Sequence, residues 1–176
     1  LKAIGLTPIN NIVDITNLVM HELGQPLHAY DLDTIKSGNI EIKTLDSGVS
    51  FTTLEGNDIT LHEDDLMVCD GDIPMCIAGV YGGKNHSVNN TTKTIFLESA
   101  FFNPVSVRKT AKRHNLNTDS SYRFERGVDI DLVEYALKRA AALIIDDCKS
   151  EIICDVIDEY PNKDEEKNIV INFEKI

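Results

Sequence analysis

The side chains able to do chemistry are few and scattered. Five histidines occur, His21, His28, His62, His86 and His114, and none makes an HxH or HExxH spacing, so they carry no zinc-site signature. The chain has no GxSxG elbow and no phosphate-binding P-loop. Three groups stand out by context. His28 lies just beyond an amphipathic stretch. Glu98 is a carboxylate inside the apolar run TIFLES at residues 94–99, where it needs a partner or a polar pocket. Gly82 and Gly83 close the apolar run at residues 75–81, and glycine permits a positive φ or a close backbone approach to a ligand. The residues 79–83 are too weak a pattern for a phosphate site. Together the three groups sketch a pocket. Each also has a bland alternative: a satisfied core histidine, a plain turn, and a glutamate paired with an arginine.

The element that must hold His28 is the stretch NNIVDITNLVMHELGQPLHAYD, residues 10–31. Ile9, Ile12, Val13, Thr16, Val19, Met20 and Leu23 fall on one face at the 3.6-residue period. Pro8 suits the first turn of this helix, Thr7 can cap it, and Gly24 and Pro26 stop it. His28 is then expected in the turn that follows, with Asn17 on the helix. Residues 40–44, 51–54, 58–61, 66–69, 75–81 and 94–99 read as strands, the second and third as a hairpin around Glu55-Gly56-Asn57. Asn103 should cap a helix with Pro104 in its first turn, running to about His114. Residues 115–121 read as a polar loop and residues 129–146 as a long amphipathic helix. Two late strands are expected at 152–157 and 169–173, around a charged turn at 161–167. Short strands mixed with three unequal helices give an α+β class and not a regular βαβ series.

The length of 176 residues suggests one domain, long enough to bury a core. Apolar residues make up 42% and charged residues 26%, a globular composition. No apolar run approaches the roughly 18 residues of a spanning helix. Cys69, Cys76, Cys148 and Cys154 form no CxxC pair and read as reduced core residues of a cytoplasmic protein. A net charge of −12 argues against a general nucleic-acid-binding surface. The charge is uneven, however: Arg108, Lys109, Lys112, Arg113, Arg123 and Arg126 sit in one short segment, while acids crowd the end of the chain. Such a local patch can meet a phosphate backbone, and Arg108, Lys109, Lys112 and Arg113 are the candidates. The alternative is a solvated helix face. The chain opens on Leu1 without a methionine, which suggests a single domain, residues 1–176, cut from a longer polypeptide.

Long consecutive strings then narrow the reading. GLTPINNIVDITNLVMHELGQPLHAYDLD, IAGVYGG, TIFLESAFFNPVSVRKTAKRH and NTDSSYRFERGVD resemble the B3/B4 region of the bacterial phenylalanyl-tRNA synthetase β chain. The likeness spans nearly the whole chain and fades after about Lys149. It implies a mixed-sheet or barrel-like core with flanking helices. It also implies an editing domain that hydrolyses tyrosine mischarged onto the phenylalanine tRNA. By that resemblance Glu98 accepts the tyrosine hydroxyl, supported by a backbone amide near Gly82. His28, with Thr16 and Asn17, lines the end that meets the ester and the terminal adenosine. Thr118 and Ser120 line the amino-acid pocket. Two departures are visible: Thr7 stands where many members carry a basic residue, and Ser120 where some carry alanine. His28 is expected either to orient a water or to act as a base, and help from a ribose hydroxyl of the tRNA is equally compatible. The region needs no cofactor on this reading, ATP and magnesium being used elsewhere in an α2β2 parent enzyme. The rival is a non-catalytic module that positions tRNA within the synthetase. A blander one is a domain that binds free amino acid.

Overall fold

In the computed structural model, residues 1–161 and Ile171 are described. The first helix, α1 (Asn11–Leu23), starts later than expected: Asn10, not Thr7, is the cap, and its side chain accepts from the Val13 amide at 2.9 Å. Pro8 therefore precedes the helix, and Ile9 is 72% exposed. Gly24 ends the helix in the left-handed conformation, as its missing Cβ allows. The next stretch is not the expected turn but a strand, β1 (Leu27–Asp31).

β1 pairs antiparallel with β8 (Ile95–Ser99), and this two-stranded ribbon separates two cores. Its Tyr30 and Phe96 side packs into the larger core, with Phe51, Met67, Cys76 and Phe124. Leu27, Ile95 and Leu97, from the opposite side, pack on the smaller core between α1 and α4 (Leu132–Cys148), built on Ile15, Val19, Ala136, Ala140 and Ile144. Ribbon buried on both faces shows no polar alternation, so LHAYD reads poorly as a strand in the sequence.

The larger core is covered by a four-stranded antiparallel sheet in the order β2 (Ile40–Thr44), β5 (Leu66–Asp70), β6 (Ile73–Ile77) and β7 (Tyr81–Gly82). The hairpin β3 (Ser50–Thr52) and β4 (Asp58–Thr60) joins it through a Thr53–Gly83 bridge. The apolar run at 75–81 is thus two strands and not one. The chain reverses at Ala78-Gly79-Val80, where Gly79 has φ +69° and a Cβ would come within 3.0 Å of both Phe102 and Phe124. Two further helices lie between β8 and α4. Asn103 caps α2 (Pro104–His114) as expected, and Thr118 caps a short α3 (Asp119–Phe124) that begins inside the expected polar loop and runs past it, through a reciprocal bond with Ser121.

The α+β class holds; the described sheets are antiparallel, and none closes into a barrel. The expected strand at 152–157 is absent, and these residues are exposed. Apolar pattern alone makes no strand where no neighbouring edge is offered for pairing. The expected strand at 169–173 and the turn at 161–167 lie outside the described residues, apart from Pro161 and Ile171. All four cysteines are free; Cys69 and Cys76 are buried as expected, whereas Cys154 is exposed.

Candidate functional site

The β1–β8 register places two of the sequence candidates directly opposite each other: His28 pairs with Glu98, and Tyr30 with Phe96. Residues paired in this way project to one face of an antiparallel ribbon. The His28 ring meets Tyr30 edge to face, with centroids 4.4 Å apart. On its other flank lies Gly82 of β7, where a Cβ would stand 2.7 Å from His28 Cε1 and 3.2 Å from Nε2. The need for glycine is therefore local. Backbone and imidazole touch, and no side chain fits between them.

Glu98 is partly buried, and no arginine or lysine pairs with it among the described residues. Its Oε2 accepts a hydrogen bond from the Tyr30 hydroxyl at 2.7 Å. Burial pushes the carboxyl up to about 7, against the Tyr30 bond that draws it down. Burial also pulls His28 down to about 4. Near neutral pH the site thus holds an uncharged imidazole beside a carboxyl near its midpoint. The imidazole can donate one hydrogen bond and accept another, and the ionised carboxyl can accept a hydroxyl. The Tyr30 phenol is held well above its ordinary value, first by burial and then by the neighbouring Cys76 and Glu98.

The other candidates have part of their bonding capacity committed. Thr16 is buried in α1 and donates to the Val13 carbonyl at 2.9 Å, while Asn17 is partly buried one position on. Thr118 donates to the Val80 carbonyl at 2.9 Å, tying α3 to the turn that leads into Gly82. Ser120 reaches back to Met20 of α1, its Oγ 3.8 Å from the sulfur. A groove of about 350 Å³ runs along α3, lined by Asn117, Thr118, Asp119, Ser121, Tyr122 and Glu125. A smaller one of about 110 Å³ lies beside Phe51 and Gly83. Neither is lined by Glu98.

The four basic candidates on α2 separate into two kinds. Arg113 is tied to the fully buried Asp65, which also accepts from Thr110 at 3.0 Å and contacts His114 Nε2 at 2.6 Å. Arg108 donates to the Glu125 carbonyl at 2.8 Å. Lys109 and Lys112 are exposed and make no ion pair among the described residues. The cluster that looked continuous in sequence thus presents two uncommitted cations. Among the described residues, no group of three or more His, Cys, Asp or Glu is disposed to hold a metal ion.

Sequence reasoning missed Tyr30. Its signal was present, because Tyr30 sits two residues after His28, which is same-face spacing once the stretch is read as a strand.

Comparison with known proteins places the chain in a family. The chain is 52% identical over 178 residues to the phenylalanine–tRNA ligase beta subunit of Porphyromonas gingivalis, a match covering all of this chain and 22% of that relative. It is 45% identical to the Bacteroides fragilis beta subunit, with the same coverage. Identity to the Bdellovibrio bacteriovorus beta subunit is 49%, over 92% of this chain and 20% of the relative. The chain therefore spans about a fifth of the length of these relatives. A family model described as the B3/4 domain matches residues 1–149, and stops where α4 does, so the chain belongs to the B3/4 domain family.

Proposed function

We propose that this chain is the editing module of a phenylalanine–tRNA ligase beta subunit, hydrolysing the ester that links mischarged tyrosine to the phenylalanine tRNA. The parent would be a cytoplasmic ligase that works with an α chain in an α2β2 assembly. The physical need is clear. Tyrosine adds one hydroxyl to phenylalanine, and a hydrophobic pocket rejects such an addition by only about 10². A second site that bonds the extra hydroxyl discriminates far better, because phenylalanine would leave its polar atoms unpaired.

One observation carries the reading: the Glu98 carboxylate is set in an apolar ribbon opposite His28 and, among the described residues, has no cation to neutralise it. A group with that desolvation cost suits a ligand that brings its own hydroxyl. An aminoacyl ester is already activated, so orienting it and a water supplies much of the rate, and no cofactor is required. His28, uncharged and weakly basic at neutral pH, suits holding that water better than abstracting its proton. The rival reading, a module that positions tRNA without hydrolysis, draws on the exposed Lys109 and Lys112.

Deacylation of tyrosyl-tRNA by the full-length synthetase decides between them. Glu98→Ala should lower the preference for tyrosyl over phenylalanyl esters by about 10- to 100-fold, the worth of a hydrogen bond to a charged group. If both Glu98→Ala and His28→Ala cleave the tyrosyl ester as well as the parent does, the editing reading fails. Near-normal cleavage by His28→Ala alone rejects only the base role.

A further inference from the structure

We propose that Tyr30 is the positioning residue for Glu98: its hydroxyl holds Oε2, so that Oε1 is presented in a fixed direction to the phenol of a bound tyrosine. The inference rests on the editing reading and adds a specificity-determining residue to it. The chain would then recognise a substrate phenol with a carboxylate already oriented by a phenol of its own.

Three features support this. Tyr30 has no solvent exposure, and its ring is fixed by His28 at 4.4 Å and Phe96 at 6.0 Å, so its hydroxyl has one location. Glu98 is a flexible side chain, and the Tyr30 bond is its one hydrogen bond among the described residues. A carboxylate is planar, so fixing one oxygen restricts where the lone pairs of the other point. Third, Oε1 remains free of protein donors among the described residues, while Oε2 is occupied by the protein's own phenol. That division favours one incoming hydroxyl in one pose. A phenol buried only for packing could equally have bonded a backbone carbonyl; this one meets the single carboxylate of the ribbon face.

The titratable groups facing Glu98 are His28 and Tyr30 from β1 and Cys76 from β6. His28 is uncharged above about pH 4, and burial raises the Cys76 thiol, so neither changes charge between pH 6 and 8. Tyr30 is thus the neighbour that adjusts the ionisation of Glu98 in that range, by stabilising the charged form.

The test uses the full-length synthetase with Tyr30→Phe, Glu98→Gln and the double variant. It reads kcat and KM for tyrosyl- and phenylalanyl-tRNA deacylation from pH 6 to 9. Tyr30→Phe should cut discrimination about 3- to 10-fold, mostly through KM for the tyrosyl ester, as loss of one hydrogen bond predicts. The pH midpoint of discrimination should move up, and in the Glu98→Gln background Tyr30→Phe should have no further effect. Incorporating 3-fluorotyrosine at position 30, a stronger donor of unchanged shape, should move the midpoint down; this arm decides if Tyr30→Phe does not fold. Unchanged discrimination and midpoint in the folded Tyr30 variants overturn the proposal and leave the editing reading intact. Full cleavage of the tyrosyl ester by both Glu98→Ala and His28→Ala overturns the editing reading itself.

Discussion

At the scale of single residues, the site depends on one close approach. The His28 ring is held between Tyr30 and the backbone of Gly82, and cannot move from one without losing the other. Gly82→Ala puts a methyl 2.7 Å from His28 Cε1 and 3.0 Å from Leu54 Cδ1. Overpacking of this kind costs about 1–3 kcal/mol. A displaced catalytic group costs on the order of 10² in rate. On the proposed editing reading, the expectation is a moderate fall in Tm with about a 100-fold fall in deacylation, measured by thermal melts and ester hydrolysis of the same preparation. A fall in Tm with full activity would show that the ring's place is unimportant. Glu98 carries a stability cost that fits a binding role. Its folded pKa, about 7, exceeds the ordinary 4.5. The stability it contributes is therefore fully present below pH 4.5 and is lost as pH rises through 7.

At the scale of elements, α2 is fastened at both ends. Asn103 caps it, accepting from the amides of Val105 and Ser106. Near its other end, Thr110, Arg113 and His114 converge on Asp65, in the turn before β5. Burial pulls the Asp65 carboxyl up, yet its bonds from His114, the His62 amide and Thr110 outweigh this and hold it below 3.8. Asp65→Ala would leave the nearly buried His114 side chain and the buried Thr110 hydroxyl without their acceptor, and should cost about 3 kcal/mol in urea unfolding. The sign of the pH effect follows. The Asp65 contribution is present above about pH 3.8 and is lost as pH falls through its lower folded value. Acid sensitivity in that window should therefore shrink in the variant. An unchanged acid limb would mean that Asp65 does not fasten the helix.

At the scale of the whole molecule, the ribbon is the wall shared by two cores, so His28 and Glu98 on one face are backed by α1 and α4 on the other. Residues 151–161, after α4, take no part in either core and are exposed, with Ile152 and Ile153 at 66% and Ile157 at 79%. Replacing Ile152, Ile153 and Ile157 by serine should leave the stability of the chain within about 0.5 kcal/mol per site, the range for surface substitutions. A large loss of Tm would show that the segment packs after all. No described helix is long and apolar enough to cross a membrane.

Local code was enough for much of this. The α1 stop at Gly24, the Asn103 cap, the hairpin around Gly56 and the strand holding Glu98 were all legible, because each depends on neighbouring residues through periodicity, capping or turn chemistry. His28 and Glu98 could be named as candidates, but not as partners. Their pairing joins residues 70 positions apart, and the Tyr30–Glu98 bond joins residues 68 apart. The same holds for Arg113, which looked like part of a phosphate-binding patch until Asp65, 48 residues away, claimed it. Periodicity failed for β1 because the ribbon is buried on both faces, and for 152–157 because an apolar pattern does not supply a pairing edge. Sequence set which groups the chain carries and which local shapes they adopt. Register between distant strands, and the burial that register creates, decided which groups meet and how strongly each holds its proton.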